Sequence, residues 1–183
     1  MPNWCQNNLT LTGPATLIHD LWSRAQQLER EDGGYGLLQA MVPMPLGLEN
    51  TRTNDTPCWY SWRIREWGVK WDIDIDGLTC ETNADGKSAT IYGDFDSAWD
   101  SPDEAFLRFA GQHDGVFVAL SFLEPGNALA GWLEADGENV DYERVDLGDY
   151  DCADDIPPGL FDVIPMLKWY YDMLKDEEEE RVV

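Results

Sequence analysis

The stretch W-D-I-D-I-D-G-L-T-C-E-T-N-A-D-G-K-S-A-T-I-Y-G-D-F, residues 71–95, decides the fold. Trp71, Ile73 and Ile75 alternate with Asp72, Asp74 and Asp76, the period of two expected of a half-buried strand with one carboxylate-bearing face. Residues 77–82 continue or re-pair that strand, Asn83-Ala84-Asp85-Gly86 supplies a turn, and residues 88–95 return. A β-hairpin in mid-chain is the result.

On its N-terminal side, residues 4–12 are β-friendly with Leu9 and Leu11 two apart, and Gly13-Pro14 closes them. Residues 15–31 carry Leu17, Ile18, Leu21, Trp22, Ala25 and Leu28 at three- and four-residue steps, one face of an amphipathic helix that Asp32-Gly33-Gly34 stops. The apolar run at 37–42, before Pro43-Met44-Pro45, reads as a second strand. Residues 46–57 lack periodicity and, with the tryptophan-bearing segment up to Arg65, read as an inserted loop, 46–65.

Beyond the hairpin, Ser101-Pro102-Asp103-Glu104 predicts a helix start, with a Ser cap, Pro at the first position and Glu three residues after the cap. That helix reaches about Gln112 and buries Phe106, Leu107, Phe109 and Ala110. Residues 116–123 form another apolar strand, closed by Glu124-Pro125-Gly126. Residues 129–134 and 140–145 pair as a second hairpin, 146–155 is an acidic loop, and 160–174 is a helix apolar almost all round. The glutamates Glu177 to Glu180 oppose the helix dipole, so its end is expected to fray.

The order is βαββαβ, an α+β chain of the ferredoxin-like split type with an extra β-hairpin and a C-terminal helix. Residues 1–135 form the ferredoxin-like domain, and 136–183 an acidic extension packed on it.

Of 183 residues, 43% are hydrophobic and 12% aromatic, a profile that folds, yet the formal charge is −24. Such a balance repels phosphates and excludes direct nucleic-acid binding as the expectation. From Phe109 onward four Lys or Arg stand against nineteen Asp or Glu, so the acidity concentrates in the C-terminal part. Its carboxylates Asp136, Glu138, Asp141, Glu143, Asp146, Asp149, Asp151, Asp154 and Asp155 are the candidate binding residues. Clustered on a folded scaffold, they can imitate nucleic-acid phosphates and occupy a basic groove on another protein. The bland alternative is a solvated face.

Residues 59–76 hold four of the nine tryptophans and three of the twelve basic residues. Trp59, Trp62, Trp67 and Trp71 read as core, as partners for Arg63, Arg65 or Lys70 in cation–π contacts, or as an exposed binding patch. The alternating aspartates do not make a calcium loop: counted from Asp72, Gly77 is sixth, but Asn83 stands twelfth in place of Glu. His19 and His113 lie in predicted helices with no thiol or carboxylate at ligand spacing, and no motif of nucleotide binding, hydrolysis or metalloprotease chemistry occurs. A non-enzymatic protein with no metal and no cofactor is expected.

Four cysteines, Cys5, Cys58, Cys80 and Cys152, are scattered, and Met1-Pro2-Asn3-Trp4 lacks the basic start and apolar run of a secretion signal. Free thiols in a cytoplasmic protein that does not engage a membrane are the expectation.

Four motifs carry a family resemblance: residues 1–7 (M-P-N-W-C-Q-N), 67–72 (W-G-V-K-W-D), 95–102 (F-D-S-A-W-D-S-P) and 124–126 (E-P-G) ahead of Gly131. In this order, across residues 1–135, they resemble the YubB and Api92-like family of phage and plasmid proteins. Val69, where the family usually has Thr, and the single Pro102, where it has two, depart from the pattern. The resemblance implies a ferredoxin-like domain in a bacterial host and structural roles for Trp4, Trp67, Gly68, Lys70, Trp71 and Trp99. It transfers no catalytic activity. The leading expectation is therefore an acidic binding protein directed at a basic surface of a host protein, as a nucleic-acid mimic or anti-defence inhibitor. The rivals are a small-ligand or enzymatic site near residues 67–76, and a structural virion or oligomer component.

Overall fold

β1 (Trp4–Pro14) is the strand on which the others assemble, because Cys5, Asn7, Leu9 and Leu11 point to one buried face while Trp4, Gln6, Asn8 and Thr10 point to the other. The computed structural model describes residues 2–28, 36–150 and 155–181, the side chains of 176–181 excepted. β2 (Leu78–Thr82) and β3 (Ser88–Ala98) form the mid-chain hairpin, and β4 (Phe117–Glu124), β5 (Leu129–Ala135) and β6 (Val140–Asp146) follow as a meander. The six strands make one antiparallel open sheet in the order β2-β3-β1-β4-β5-β6. Within the described residues six α-helices accompany it, so the chain is α+β.

The two faces are covered differently. α1 (Ala15–Gln27), α2 (Leu37–Met41), α3 (Trp59–Trp67) and α4 (Asp103–Gln112) enclose the main core with Leu9, Leu11, Ile91, Val118, Leu120 and Leu133 of the sheet. On the opposite face, α5 (Pro158–Val163) and α6 (Met166–Arg181) cover Leu123, Ala130 and Val145 with Leu160, Ile164, Leu167, Tyr170 and Tyr171. That second core sits over β4, β5 and β6. The β2-β3-β1 half of the same face keeps Asn8, Tyr92, Asp94 and Asp96 exposed.

Several elements differ from the sequence reading. The expected strand at 37–42 is instead helix α2 over Leu37–Met41: Asp72 accepts the N–H groups of Leu38 and Gln39 at 2.8 and 3.0 Å, capping a run without β-branched residues before Val42. Residues 71–76 belong to no strand, with bends at Trp71 and Ile75 and a turn at Asp76. Ile73 and Ile75 are buried between less buried aspartates, as a strand would place them, yet Asp72 and Asp74 bond nearby backbone N–H groups where a ladder would run. The hairpin therefore starts at Leu78.

Within the expected loop 46–65 lies most of α3, capped by the Cys58 sulfur, which accepts the Ser61 N–H, and ended by Gly68 at φ 84°. α4 starts at Asp103 behind Pro102, with Ser101 buried, so Ser101 is not the cap. The apolar helix at 160–174 is two helices, because Pro165 has no N–H and holds Ile164 out of helical geometry, at φ −125° and ψ 78°. α6 continues through the glutamates to Arg181. α1 ends at Gln27, with Leu28 already in extended geometry, short of the expected reach to residue 31; the expected stop at Asp32-Gly33-Gly34 lies outside the described residues.

Candidate functional site

The open half of the outer sheet face ends in a cleft. Trp4 is the first residue of β1, and Asp94, Asp96 and Ala98 follow one another on the outward side of β3, opposite Asn8, Gln6 and Trp4. The connection from α3 to β2 wraps round this end of the sheet and brings Trp71 to Trp4, with ring centroids 6.3 Å apart and planes tilted by 44°. Together with Asp72, Asp74 and Gly77 they line a cavity of about 420 Å³. Gly77 is required where the connection meets β3, since a Cβ there would drive into the Asp94 carbonyl.

The carboxylates differ in freedom. Asp72 caps α2, Asp74 accepts the Asp76 N–H at 3.2 Å, and Asp94 accepts from the Asn8 amide at 2.7 Å. Asp96 makes no hydrogen bond or ion pair to any described residue. Partial burial raises its pKa from the ordinary carboxylate value. Lys70 places its ammonium 4.9 Å from the Trp71 ring centroid, so this indole already faces a cation. The tryptophans divide: Trp67 is fully buried and donates to the Val42 carbonyl at 2.9 Å, whereas Trp4, Trp71 and Trp99 are exposed. Trp99 has φ 74°, a rare backbone for a bulky residue, and its N–H donates to the Asn3 carbonyl.

Behind the cleft the remaining motif residues form a polar knot. The Asn7 amide donates to Ser97 Oγ at 2.8 Å, and Ser97 donates to the Asp100 carbonyl at 2.6 Å. Arg144, from β6, reaches over the Phe122 ring at 5.1 Å and forks onto Asp100 at 2.9 Å and Asp103 at 2.7 Å. Glu124, wholly buried, accepts the N–H groups of Gly126 and Asn127. Burial, then the Asp100 charge, pushes the Cys5 thiol far up in pKa, so it stays protonated and inert.

Asp136, Glu138, Asp141, Glu143, Asp146, Asp149 and Asp155 are exposed, while Asp151 and Asp154 lie outside the described residues. Asp136 and Asp146 bond turn N–H groups. Asp141 stands directly opposite Glu134 across the β5–β6 pair, with Glu143 two residues on and on the same side. Neither Glu134 nor Asp141 has an ion-pair partner among the described residues. Glu134 escaped the sequence reading because its cross-strand neighbour depends on register.

His19 has neighbours that its helical context concealed: Nδ1 lies 3.7 Å from the Cys80 sulfur and Nε2 lies 2.9 Å from Thr82 Oγ1. The thiol arrives from a strand 61 residues away. Among the described residues no three His, Cys, Asp or Glu side chains converge as a metal-binding group, and no helix is long and apolar enough to cross a membrane.

The molecule is thus an α+β protein with helices on both faces of its sheet, an acidic edge and a tryptophan-walled cleft. Among solved structures it is similar to a protein api92 from Yersinia pseudotuberculosis, of the family model DUF1281, with 18% identity and a TM-score of 0.44. The similarity covers 59% of this chain and 39% of that one, and the neighbour bears the Api92 name of the family that the four motifs resemble. No family model and no curated protein matches the chain.

Proposed function

We propose that this protein is a non-enzymatic acidic binder that docks on a basic surface of another protein. The observation that carries the reading is the Glu134–Asp141 pair with Glu143 beside it: like charges directly opposite on adjacent strands destabilise a sheet. A partner that brings cations to this surface relieves that repulsion, and one that presents a nucleic-acid-binding groove meets carboxylates in place of phosphates. The setting is the cytoplasm of a bacterium hosting a phage or plasmid, in keeping with the motif resemblance.

The first four strands are read as a ferredoxin-like core. Supporting this, β3 lies between β1 and β2 and runs against both, so β1 and β2 are parallel with a strand inserted, while α1 and α4 follow β1 and β3. The β5–β6 hairpin then extends the sheet beyond β4.

The test is capture from bacterial lysate at low and high salt, with mass-spectrometric identification, beside a Glu134→Gln, Asp141→Asn, Glu143→Gln variant. Basic proteins should be retained at low salt, released by high salt, and lost with the variant. Capture that is insensitive to both overturns the reading. A second reading, a small-ligand site near residues 67–76, is favoured by the cavity between Trp4 and Trp71. Neutral small molecules that bind there without regard to salt would establish it instead.

A further inference from the structure

We propose that the cleft between Trp4, Trp71, Asp94 and Asp96 receives an arginine side chain of the basic partner, an assignment that rests on the reading of the protein as an acidic binder. Three observations carry it. The cavity of about 420 Å³ is lined both by the two indoles and by carboxylates, the two surfaces that a guanidinium uses at once. Asp94 and Asp96 are two positions apart on one side of β3, about 7 Å along the strand, a span that a planar five-donor fork bridges.

The third observation is internal. Arg144 already makes this arrangement within the chain, its guanidinium over the Phe122 ring and forked between Asp100 and Asp103. The cleft offers the aromatic wall and the two carboxylates of that arrangement, and Asp96 is left without a partner among the described residues. Charge selects a cation, and the flat walls favour a delocalised planar one over an ammonium, whose hydration is tighter.

The experiment titrates the protein, with its tryptophan indoles labelled by nitrogen-15, with hexa-arginine and hexa-lysine peptides at low salt. Trp4→Phe and Trp71→Phe assign the two indole N–H signals of interest. Hexa-arginine should shift both signals, bind several-fold tighter than hexa-lysine, and lose about tenfold in affinity in an Asp94→Asn, Asp96→Asn variant. The Asp141→Asn, Glu143→Gln variant should leave the indole shifts in place. Unchanged indole spectra without peptide establish that the variants fold. Hexa-arginine that binds without moving either indole, or equally well to the Asp94→Asn, Asp96→Asn variant, overturns the cleft and leaves the acidic binder standing. Equal affinity for hexa-lysine overturns the choice of arginine, and no binding of either peptide overturns both readings.

Discussion

Arg144 holds two carboxylates that burial would otherwise make costly. Asp103 has its pKa raised chiefly by burial, which the Arg144 guanidinium only partly offsets. Removing the guanidinium leaves that carboxylate without its cation, so Arg144→Gln should destabilise the fold by about 2 kcal/mol, below the 3–5 typical of a fully buried pair because the side chain is 36% exposed. The pH dependence follows from the direction of the shift. A carboxyl whose folded pKa lies above its unfolded one contributes stability below the ordinary value of 3.8, and loses it as pH rises through the folded pKa. Without Arg144 that loss grows, so the deficit of the variant should be large at neutral pH and shrink on acidification. Urea denaturation of both proteins at neutral and mildly acidic pH measures it, and a deficit constant with pH would show that only packing over Phe122 was lost.

The elements were legible wherever period and punctuation agreed. β1, the body of α1, the β5–β6 hairpin and the body of α4 follow from alternation and helical spacing. The misread segments share a cause, which is that a partner remote in sequence completes them. α2 needs the Asp72 carboxylate, 34 residues away, for its N-terminal N–H groups, and residues 71–76 bury Ile73 and Ile75 with no strand to pair with. Alternation reports burial, and only hydrogen bonding makes a strand. The cleft was half visible: Trp4, Trp71 and the aspartates at 72 and 74 stood out, but Asp94 and Asp96 join them only through the β1–β3 register.

Gly131 makes a prediction at the same scale. It sits in β5 opposite Phe122 and Arg144, and a Cβ there would meet the Phe122 ring and the Glu143 carbonyl, each at 2.6 Å. Backbone cannot yield as a side-chain tip does. Gly131→Ala should therefore cost about 2 kcal/mol and push Phe122 away from Arg144. Thermal melting gives the first, and the second appears as a smaller cost of Arg144→Gln in the Gly131→Ala background than in the parent, read in a double-mutant cycle. Strict additivity would place the two effects on separate contacts.

For the whole molecule, charge is the governing quantity. Twelve basic residues against thirty-six acidic ones give −24, and ion pairs among the described residues, such as Arg24–Asp20, Arg65–Glu66, Arg108–Glu66 and the Arg144 fork, spend basic residues on local contacts. The Glu134–Asp141 juxtaposition therefore sits in a net repulsive field. Two effects of salt compete: screening weakens these few attractive pairs, and it weakens the far more numerous carboxylate repulsions. Exposed ion pairs contribute little each, so repulsion dominates. Raising sodium chloride from about 20 mM to about 300 mM, which shortens the screening length from roughly 20 Å to below 8 Å, should raise the melting temperature by several degrees. The Glu134→Gln, Asp141→Asn, Glu143→Gln variant should melt higher than the parent at low salt and gain less on salt addition, because part of the repulsion is already gone. A melting temperature that falls with salt in the parent would mean that the ion pairs, and not the carboxylate field, set its stability.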